Sequence, residues 1–419
     1  MLYDRWRKIA QQHRNQIALH DLSHGRQWTF AELQAASEEH DTVSEPIVFP
    51  SGMSVDFILT VLRAWRLEKI VCPLEPGQPR PAFAGSLPQC VQLKTTSAST
   101  GAPRMVAFQA HQLAADAQNI VATMGLRAEW PNLGVISLAH SYGFSNLILP
   151  LLLHGIPVLL LDSPLPERVR AVLKNTGPLT LAAVPALWRT WHDAKVITET
   201  IRLAISAGAP LPVPLEEEIF SATGVKIHNF YGATECGGIA YDRSSIPRTD
   251  AACVGTAMDG VALSVNDQGC LEVRSQAVGT TYWPEPSASL ANGIFQTADL
   301  AELRGDAVFL RGRAGDQINV AGRKISPELL EEKLRAHPAV RECLVFGVPS
   351  DDTDRTDVIV ACISKKAEVT AEILKQFLLS EIPAWQTPRR WWFVDSLGAN
   401  ERGKLSRAQW RERFLQSAK

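Results

Sequence analysis

Helical and strand-like patterns alternate along the first part of the chain, and this alternation limits the folds that the chain can adopt. Residues 54–66 are typical of an amphipathic helix, because Val55, Ile58 and Leu62 recur at helical spacing. A second helix is predicted at 112–124, and buried strands are predicted at 69–74, 135–138, 158–161 and 203–206. Alternation of this kind favours a layered α/β body with mainly parallel sheets, which is the fold class that we expect.

The pattern changes twice in the second half of the chain. Between 253 and 310 the sequence breaks into short β-like segments, which predicts a smaller β subdomain. Further along, a helix is expected to begin with Ser326 as its cap and Pro327 at its first position. A helix at 370–379 and strands at 343–348, 358–363 and 390–394 are predicted to complete an α+β unit. We therefore expect an N-terminal domain over 1–312 and a small mobile C-terminal domain over 313–419.

Charge and composition exclude several classes of function. The net charge of -2 gives no basis for binding nucleic acid or an anionic membrane. The longest apolar stretch, 147–161, contains two prolines and is too short to span a bilayer, and no signal peptide is visible. No two of the seven cysteines lie two to four residues apart, which argues against a zinc cage. We expect buried thiols in a cytoplasmic protein without nucleic-acid or membrane partners.

The segment 229–238 reads NFYGATECGG and carries the clearest chemical signal. The Tyr231 ring can stack on a base, and Gly232 lets the backbone approach a ligand closely. Thr234 can donate to a phosphate oxygen, and Glu235 can help to hold Mg²⁺ through oxygen. The segment is therefore a candidate nucleotide and metal site, although an ordinary loop before a buried strand could have the same residues.

Three other segments bear on this hypothesis. Residues 95–104 read TTSASTGAPR, in which hydroxyls, backbone amides and a cation could cradle an anion. This is not a Walker A loop, because no Gly-x-x-x-x-Gly-Lys is present, and a polar surface loop is the alternative. Residues 312–327 read GRAGDQINVAGRKISP, and residues 400–407 read NERGKLSR, with a lysine directly after a glycine.

In this order and at these separations, the four segments resemble the adenylate-forming superfamily. That superfamily contains acyl- and aryl-CoA ligases, stand-alone adenylation domains of peptide synthetases, and luciferases. The resemblance extends from about residue 29 to about residue 407. Two further segments agree with it: residues 206–211, SAGAPL, are similar to the adenine-side loop of the family, and residues 297–299, TAD, to its ribose-binding Thr-Gly-Asp.

The resemblance implies a role for each matching position. The phosphates of ATP would be bound by the loop residues Thr96, Ser97, Ser99, Thr100, Gly101 and Arg104. The adenosine would be held by Gly208, Ala209, Pro210, Tyr231, Gly232, Asp299 and Arg313, with Tyr231 stacked on the adenine and Asp299 bound to the ribose. The catalytic residues would be Lys404, Glu235, Thr234 and His140, with Glu235 as the ligand of Mg²⁺.

The implied reaction joins a carboxylic acid to a thiol in two steps. The carboxylate attacks the α-phosphate of ATP, which gives an acyl-adenylate and pyrophosphate, and the thiol then displaces AMP. Two anions meet in the first step, so Lys404 and Mg²⁺ would neutralise them. Members of the family rotate the small C-terminal domain between the steps, and Gly315 stands at the hinge position.

Several positions depart from the family pattern. Ala98 stands where the phosphate loop usually has glycine, and Arg104 where it usually has lysine, so we expect weaker ATP binding rather than none. Ala298 replaces the glycine near the ribose, and Asn319 stands where many ligases have lysine. The region before the phosphate loop is also short for the family.

The acid and the thiol stay open at this point. Residues 138–144 read LAHSYGF, which has no acidic side chain to pair with an amino group and resembles the His-x-x-Gly of acyl- and aryl-CoA ligases. An aryl or medium-size acyl carboxylate is therefore favoured, in a pocket formed by His140, Tyr142, Ser145, Ala207 and Ala233. The acceptor would be coenzyme A or the phosphopantetheine arm of an acyl carrier protein. The alternatives are a ligase that loads only a carrier protein, and a degenerate protein that binds nucleotide without turnover; the oligomeric state is open.

Overall fold

The computed structural model describes residues 1–39, 45–81, 83, 87–96, 104–350, 357–398 and 406–417. Its first half contains nine helices within those residues: α1 (Leu2–Gln12), α2 (Phe30–Glu38), α3 (Val55–Arg66), α4 (Ala110–Met124), α5 (Ser141–Gly143), α6 (Leu149–His154), α7 (Pro166–Asn175), α8 (Pro185–Asp193) and α9 (Val213–Thr223). A π-helical segment, Phe144–Ile148, joins α5 to α6. The strands described over the same part are β1 (Ile17–Asp21), β2 (Arg26–Thr29), β3 (Ile47–Val48), β4 (Ile70–Val71), β5 (Gln92–Thr95), β6 (Met105–Phe108), β7 (Asn132–Gly134), β8 (Val158–Leu160), β9 (Leu179–Ala183), β10 (Ile201–Ser206), β11 (Ile227–Ala233) and β12 (Gly237–Tyr241).

The second half begins with strands and ends as a mixed unit. The strands are β13 (Cys253–Ala257), β14 (Val261–Val265), β15 (Cys270–Ser275), β16 (Thr281–Trp283), β17 (Leu290–Ala291), β18 (Ile294–Arg304) and β19 (Ala307–Arg313). A 3₁₀ turn, Ala314–Asp316, follows β19. The remaining elements are β20 (Ile318–Val320), β21 (Arg323–Ile325), α10 (Pro327–Arg335), β22 (Val340–Pro349), β23 (Asp357–Lys365), α11 (Ala371–Leu379), a 3₁₀ turn at Ala384–Gln386, β24 (Arg390–Val394) and α12 (Arg407–Ser417).

The largest sheet is parallel only in its central part. Six strands lie there in the order β1-β8-β7-β9-β10-β11, and each pairs in parallel with its neighbour. Beyond β11 the strands β12, β13, β19, β18, β15 and β14 are antiparallel. Parallel neighbours need a long crossover, whereas the connections after β11 contain no helix and reverse the chain. The α/β fold class is confirmed, and the expectation of mainly parallel sheets is wrong for this flank.

A second sheet holds both ends of the candidate phosphate loop. Its order is β16-β6-β5-β4-β3, and β5 runs antiparallel to β6, with Thr95 paired with Met105. The strand β16 comes from the β-rich region and pairs with β6, so that Tyr282 lies opposite Val106. This pairing brings two parts of the chain that are far apart in sequence to the same site.

The part after β19 has hydrophobic clusters of its own. Leu330, Leu334, Val345, Ile363 and Leu374 are fully buried between α10, α11 and the sheet β22-β23-β24. The main cluster of the first part ends at Val308, and the described clusters of the C-terminal part begin at Ile318.

Most of the predicted elements form close to their predicted positions. The helix α3 is capped by Ser54, whose Oγ accepts from Phe57 N at 3.3 Å, and Thr370 caps α11 in the same way. The predicted strand at 135–138 is wrong, because β7 ends at Gly134 and the buried apolar run that follows is an irregular loop. The predicted start of α10 is confirmed, with Ser326 as the N-cap residue and Pro327 in the first turn, although the Ser326 hydroxyl donates to Glu328 and does not accept from the helix.

Two general expectations can also be compared with the structure. All seven cysteines are free thiols; five are buried, while Cys90 and Cys253 are partly exposed. In the described part of the chain, every helix is too short or too polar to cross a membrane.

Candidate active site

The candidate site begins at the C-terminal edge of the parallel strands. Ser206, the last residue of β10, pairs with Ala183 at the end of β9 and with Asn229 in β11. The chain segments that leave this edge contain 207–210 and 231–235, which the sequence assigns to a nucleotide. Ligands of open α/β sheets bind in the crevice at this edge. The fold therefore places both segments where a ligand is expected.

Residues 229–238 form a tight hairpin between β11 and β12. Gly232 pairs with Gly238, and Thr234 and Glu235 lie in the turn between the strands. A Cβ atom on Gly232 would lie 2.7 Å from the carbonyl oxygen of Gly237, so the two strands leave no room for a side chain there. Gly237 has a φ of 70°, a backbone conformation that favours glycine. The glycines thus allow the close turn that presents Thr234 and Glu235.

Tyr231, Asp299 and Arg313 form one hydrogen-bonded group. The Tyr231 hydroxyl donates to Asp299 Oδ2 at 2.5 Å, and Arg313 Nε donates to Asp299 Oδ1 at 2.8 Å. Strand pairing explains the second contact, because Asp299 in β18 lies opposite Arg313 in β19. Burial, and then the Asp299 carboxylate, raise the pKa of Tyr231 well above its ordinary value, so the phenol stays protonated. Three residues that the sequence assigns to adenosine are therefore in direct contact.

A second group connects the turn to the candidate phosphate loop. The Tyr282 hydroxyl donates to Glu235 Oε1 at 3.0 Å, and the Arg104 guanidinium carbon lies 4.1 Å from the centroid of the Tyr282 ring. Burial, and then Glu235, raise the pKa of Tyr282, so its hydroxyl remains a donor. Tyr282 could not be predicted from the sequence, because its position depends on how β16 pairs with β6.

The ends of the phosphate loop are held together. Both the backbone nitrogen and the hydroxyl of Thr96 donate to the carbonyl oxygen of Arg104, at 2.8 and 3.0 Å. The loop assignments Ser97, Ser99, Thr100 and Gly101, and the departure Ala98, lie outside the residues that the structure describes. Lys404 lies outside them as well.

The adenine-side segment follows β10 directly. Ala207 is buried, and its backbone nitrogen donates to Ala183 O at 3.2 Å. Gly208 has a φ of 85°, which turns the chain away from the sheet before Ala209 and Pro210. These residues therefore begin a loop at the same edge as Tyr231.

The residues predicted to line an acid pocket differ in their surroundings. His140 Nε2 lies 3.3 Å from Glu75 Oε1, which also accepts from the Ser137 hydroxyl at 2.5 Å. Tyr142 is held further in, since its hydroxyl donates to Ile205 O at 3.4 Å and its ring contacts Phe230. Glu75 is the second residue that sequence reasoning missed, because it comes from the loop after β4.

Ser145 is almost completely buried and takes part in a cluster of charged side chains. It donates to Asp116 Oδ2 at 2.6 Å and lies 3.3 Å from Lys94 Nζ. Ala233, the last pocket candidate, ends β11 and pairs with Gly237. The candidates thus lie at the end of β11, directly after β10, and on the segment from His140 through α5 into the π-helical turn.

The region of the predicted hinge connects to the last helix. Gly315 is exposed in the 3₁₀ turn after β19, and a Cβ atom there would contact nothing within 4 Å. The next residue, Asp316, accepts from Arg407 Nη1 at 2.9 Å. Arg407 also binds Glu328 and Glu331 on α10, which joins the start of α12 to this turn.

The site offers few ligands of its own to a metal ion. No group of three or more histidine, cysteine or acidic side chains that could hold a metal is found in the described part of the chain. Glu235 has Oε1 engaged by Tyr282, and no described residue binds its other oxygen. One carboxylate oxygen fits Mg²⁺, which binds proteins through one or two carboxylates and takes its remaining ligands from water and phosphate.

Two protein families match segments of this chain. The family described as AMP-binding enzyme matches residues 89–287, and the family described as AMP-binding enzyme C-terminal domain matches residues 329–404. Anthranilate–CoA ligase of Pseudomonas aeruginosa is 29% identical in an alignment of 343 residues, gaps included, which covers 76% of this chain and 66% of that protein. A fatty acid–[acyl-carrier-protein] ligase of Streptomyces coeruleorubidus is 28% identical over 58% of this chain and 51% of its own length. The chain therefore spans less than two thirds of the length of these relatives.

Solved structures agree at the level of the fold. The crystal structure of ATP-bound MatB from Rhodopseudomonas palustris has a TM-score of 0.88 with this chain, at 19% sequence identity, and the alignment covers 100% of both chains. At this identity the similarity concerns the fold, which consists of a large N-terminal domain and a small C-terminal domain.

Proposed function

We propose, because this chain belongs to the adenylate-forming superfamily of AMP-binding enzymes, that it is an ATP-dependent carboxylic acid–thiol ligase. One observation carries the proposal. Two groups of side chains meet at the turn between β11 and β12: the hydrogen-bonded Tyr231–Asp299–Arg313, and Glu235–Tyr282–Arg104, in which Tyr282 donates to Glu235 and the Arg104 guanidinium lies over the Tyr282 ring. Apart from Tyr282, the sequence assigns their members to the base, the ribose, the phosphates and the metal of one MgATP. A structural role alone gives no reason for these side chains to converge at the open edge of the sheet.

The described residues would bind and orient ATP for attack by a carboxylate. The Asp299 carboxylate would accept from the ribose hydroxyls, and Arg313 would hold that carboxylate in place. Arg104 would contribute positive charge near the β- and γ-phosphates, while Thr234 would donate to the α-phosphate. When bound by Glu235, Mg²⁺ would supply charge neutralisation for the phosphate groups. Each of these groups acts by position and charge, which is what adenylation of a carboxylate requires.

Transfer to the thiol would use the C-terminal part of the chain. We place the division between domains at 1–312 and 313–419, with Gly315 as the hinge. Support comes from the separate hydrophobic clusters on either side and from the exposed, uncrowded position of Gly315. Lys404 would serve the adenylation step, and rotation about the hinge would then bring the loop around Gly322 to the site.

The acid is proposed to be an aryl or acyl carboxylate. The segment 138–144 has no acidic side chain, and Glu75, which lies 3.3 Å from His140 Nε2, already accepts from the Ser137 hydroxyl. The acceptor is proposed to be coenzyme A or a carrier-protein phosphopantetheine arm. Similarity to an acyl-carrier-protein ligase favours a carrier-specific loading ligase as the second candidate.

Product analysis by mass spectrometry tests the proposal. The purified chain is incubated with MgATP and a panel of aryl, short and medium-chain acids, with coenzyme A in one reaction and a holo carrier protein in the other. An acyl-CoA identifies a CoA ligase, and a loaded carrier without acyl-CoA identifies the second candidate. ATP binding without AMP or pyrophosphate from any acid would contradict the proposal and favour a non-catalytic nucleotide-binding protein.

A further inference from the structure

A buried cluster of polar side chains lies directly behind the turn between β11 and β12, residues 234–236, which we call the nucleotide turn. Lys94 of β5 and Asp116 of α4 have side chains that are 4% and 3% exposed, with Nζ and Oδ2 3.7 Å apart. The Ser145 hydroxyl lies between them, donating to Asp116 at 2.6 Å and standing 3.3 Å from Lys94 Nζ. The adenylation chemistry described above uses none of these three groups. Only Ser145 has been named before, as a candidate residue of the acid pocket.

The cluster touches three walls of the candidate site. Asp116 Oδ1 accepts from the backbone nitrogen of Gly238 at 3.3 Å, and a Cβ atom on Gly237 would overlap the same carboxylate. Lys94 lies two residues before Thr96, at the start of the phosphate loop. Ser145 lies in the π-helical segment that follows Tyr142. The three side chains are therefore placed between the nucleotide turn and the helix that carries the acid-pocket candidates.

Stability alone does not account for the cluster. Burying two opposite charges carries a large desolvation penalty, and replacing such a pair by apolar groups is often neutral or stabilising. The ammonium group is also under-used: its hydrogen bond to Ser145 is long, Asp116 lies beyond ordinary hydrogen-bond distance, and the Phe108 ring is 4.6 Å away. Burial accordingly lowers the pKa of Lys94, although Asp116 opposes that effect.

A second observation points to a ligand in the same region. Gln92 stands two residues from Lys94 on β5, so both side chains project from the same face of the strand. Gln92 is completely buried, yet neither atom of its amide has a hydrogen-bond partner among the described residues. The same is true of Asn146 Oδ1, next to Ser145. Buried polar groups are normally paired, so unpaired donors and acceptors at this depth call for a polar partner from outside the chain.

We propose that Lys94, Asp116 and Ser145 form a polar inner wall of the acid pocket and select a short or aromatic carboxylic acid with a hydrogen-bond acceptor at the end remote from its carboxylate. An apolar tail in contact with this wall would leave the Gln92 amide unpaired and the Lys94 ammonium with only its long contacts to Ser145 and Asp116, which penalises long fatty acids. A hydroxyl or carbonyl oxygen at that end would accept from Lys94. This inference rests on the proposed ligase function and adds the class of acid.

The test compares pairs of acids that differ only at the remote position. Aryl and short aliphatic acids that carry a hydroxyl there are each matched with the methyl analogue, and kcat/KM is measured from pyrophosphate release. We expect the wild-type protein to favour the hydroxyl member of at least one pair by about tenfold or more. In Lys94→Met/Asp116→Asn, which removes both charges and keeps similar volumes, we expect this ratio to fall to about one.

A second buried pair provides the matched control. Lys226 Nζ lies 2.6 Å from Asp242 Oδ2, and both side chains are 7% exposed. Lys226 also lies 2.6 Å from Glu216 Oε1, and Glu216 keeps its ion pair with Arg248 when Lys226 is replaced. Lys226→Met/Asp242→Asn makes the same chemical change away from the proposed wall and should leave the ratio within about twofold of wild type. Ser145→Ala removes only the bridging hydroxyl and replaces the double variant in the test if that variant does not fold. We expect it to lower the hydroxyl-to-methyl ratio severalfold.

The outcomes separate this proposal from the proposed function. If the wild-type protein adenylates acids but shows no hydroxyl preference in any pair, the polar wall is overturned and the ligase function stays intact. The same follows if the preference survives in folded variants of Lys94, Asp116 and Ser145. An equal loss of preference in the Lys226/Asp242 control overturns it too. Failure of the wild-type protein to release pyrophosphate with any acid overturns the ligase function itself.

Discussion

Replacement of Tyr282 by phenylalanine tests whether Glu235 must be held in place for adenylation. The Tyr282 side chain is buried, and its hydroxyl donates to Glu235 Oε1 at 3.0 Å. Phenylalanine removes this donor and keeps the ring that Arg104 contacts. A hydrogen bond to a charged group contributes about 1.5–3 kcal/mol. Since about 1.4 kcal/mol corresponds to a factor of ten, we expect kcat/KM for MgATP to fall about tenfold to hundredfold.

The assay is pyrophosphate release at several Mg²⁺ concentrations, with the acid saturating. In Tyr282→Phe the curve should move to higher Mg²⁺, because the carboxylate proposed to bind the ion, Glu235, is less well oriented. Tyr3→Phe is the control, since the Tyr3 hydroxyl also donates to a glutamate oxygen, Glu38 Oε1, at 3.0 Å. We expect the control to change thermal stability but not the Mg²⁺ dependence. A folded Tyr282→Phe protein with wild-type kcat/KM and the same Mg²⁺ midpoint would refute the assigned role of Glu235.

The remaining predictions concern the two half-reactions and pH. Lys404→Ala should abolish most adenylation but retain thioester formation from synthetic acyl-adenylate, and equal loss of both steps would count against domain rotation. Gly315→Pro should reduce overall turnover more than adenylation, because proline stiffens the proposed hinge, whereas unchanged steady-state rates would exclude that hinge. Burial lowers the pKa of His228 below its usual 6.5, so the unfolded chain binds the proton more readily than the folded chain. The free energy of unfolding therefore decreases as pH falls from about 6.5 through the folded-state pKa. His228→Gln should therefore show a smaller decrease in melting temperature than wild type between about pH 7 and about pH 5, and identical decreases would contradict this.

Local signals in the sequence predicted local structure well. The helices predicted at 54–66 and 370–379 form, and Ser54 and Thr370 cap them. The failure at 135–138 has a physical reason: an apolar run shows that a segment is buried but not whether it joins a strand ladder, and this run is a buried loop between β7 and α5. The antiparallel flank of the large sheet was missed because strand pairing depends on connections that periodicity does not reveal.

In the candidate site, too, contiguous residues could be predicted from the sequence, whereas residues that meet only in the folded chain could not. Residues 229–238 could be recognised because their chemistry is contiguous and because the hairpin requires glycines at fixed positions. Tyr282, Glu75, Lys94 and Asp116 could not, since each acquires a possible role through contacts with residues far away in the chain. Tyr282 stands 47 residues from Glu235 and reaches it only because β16 joins the sheet of the phosphate loop.

Arg104 shows how the structure changes the meaning of a departure from the family pattern. In the sequence, an arginine in place of lysine suggested weakened phosphate binding and gave support to a non-catalytic protein. In the structure its guanidinium lies over the ring of Tyr282, whose hydroxyl binds Glu235. A planar guanidinium stacks on an aromatic ring in a way that an ammonium group does not, so arginine suits this neighbour better than lysine would. The substitution therefore fits a site in which cation, ring and carboxylate are held as a unit.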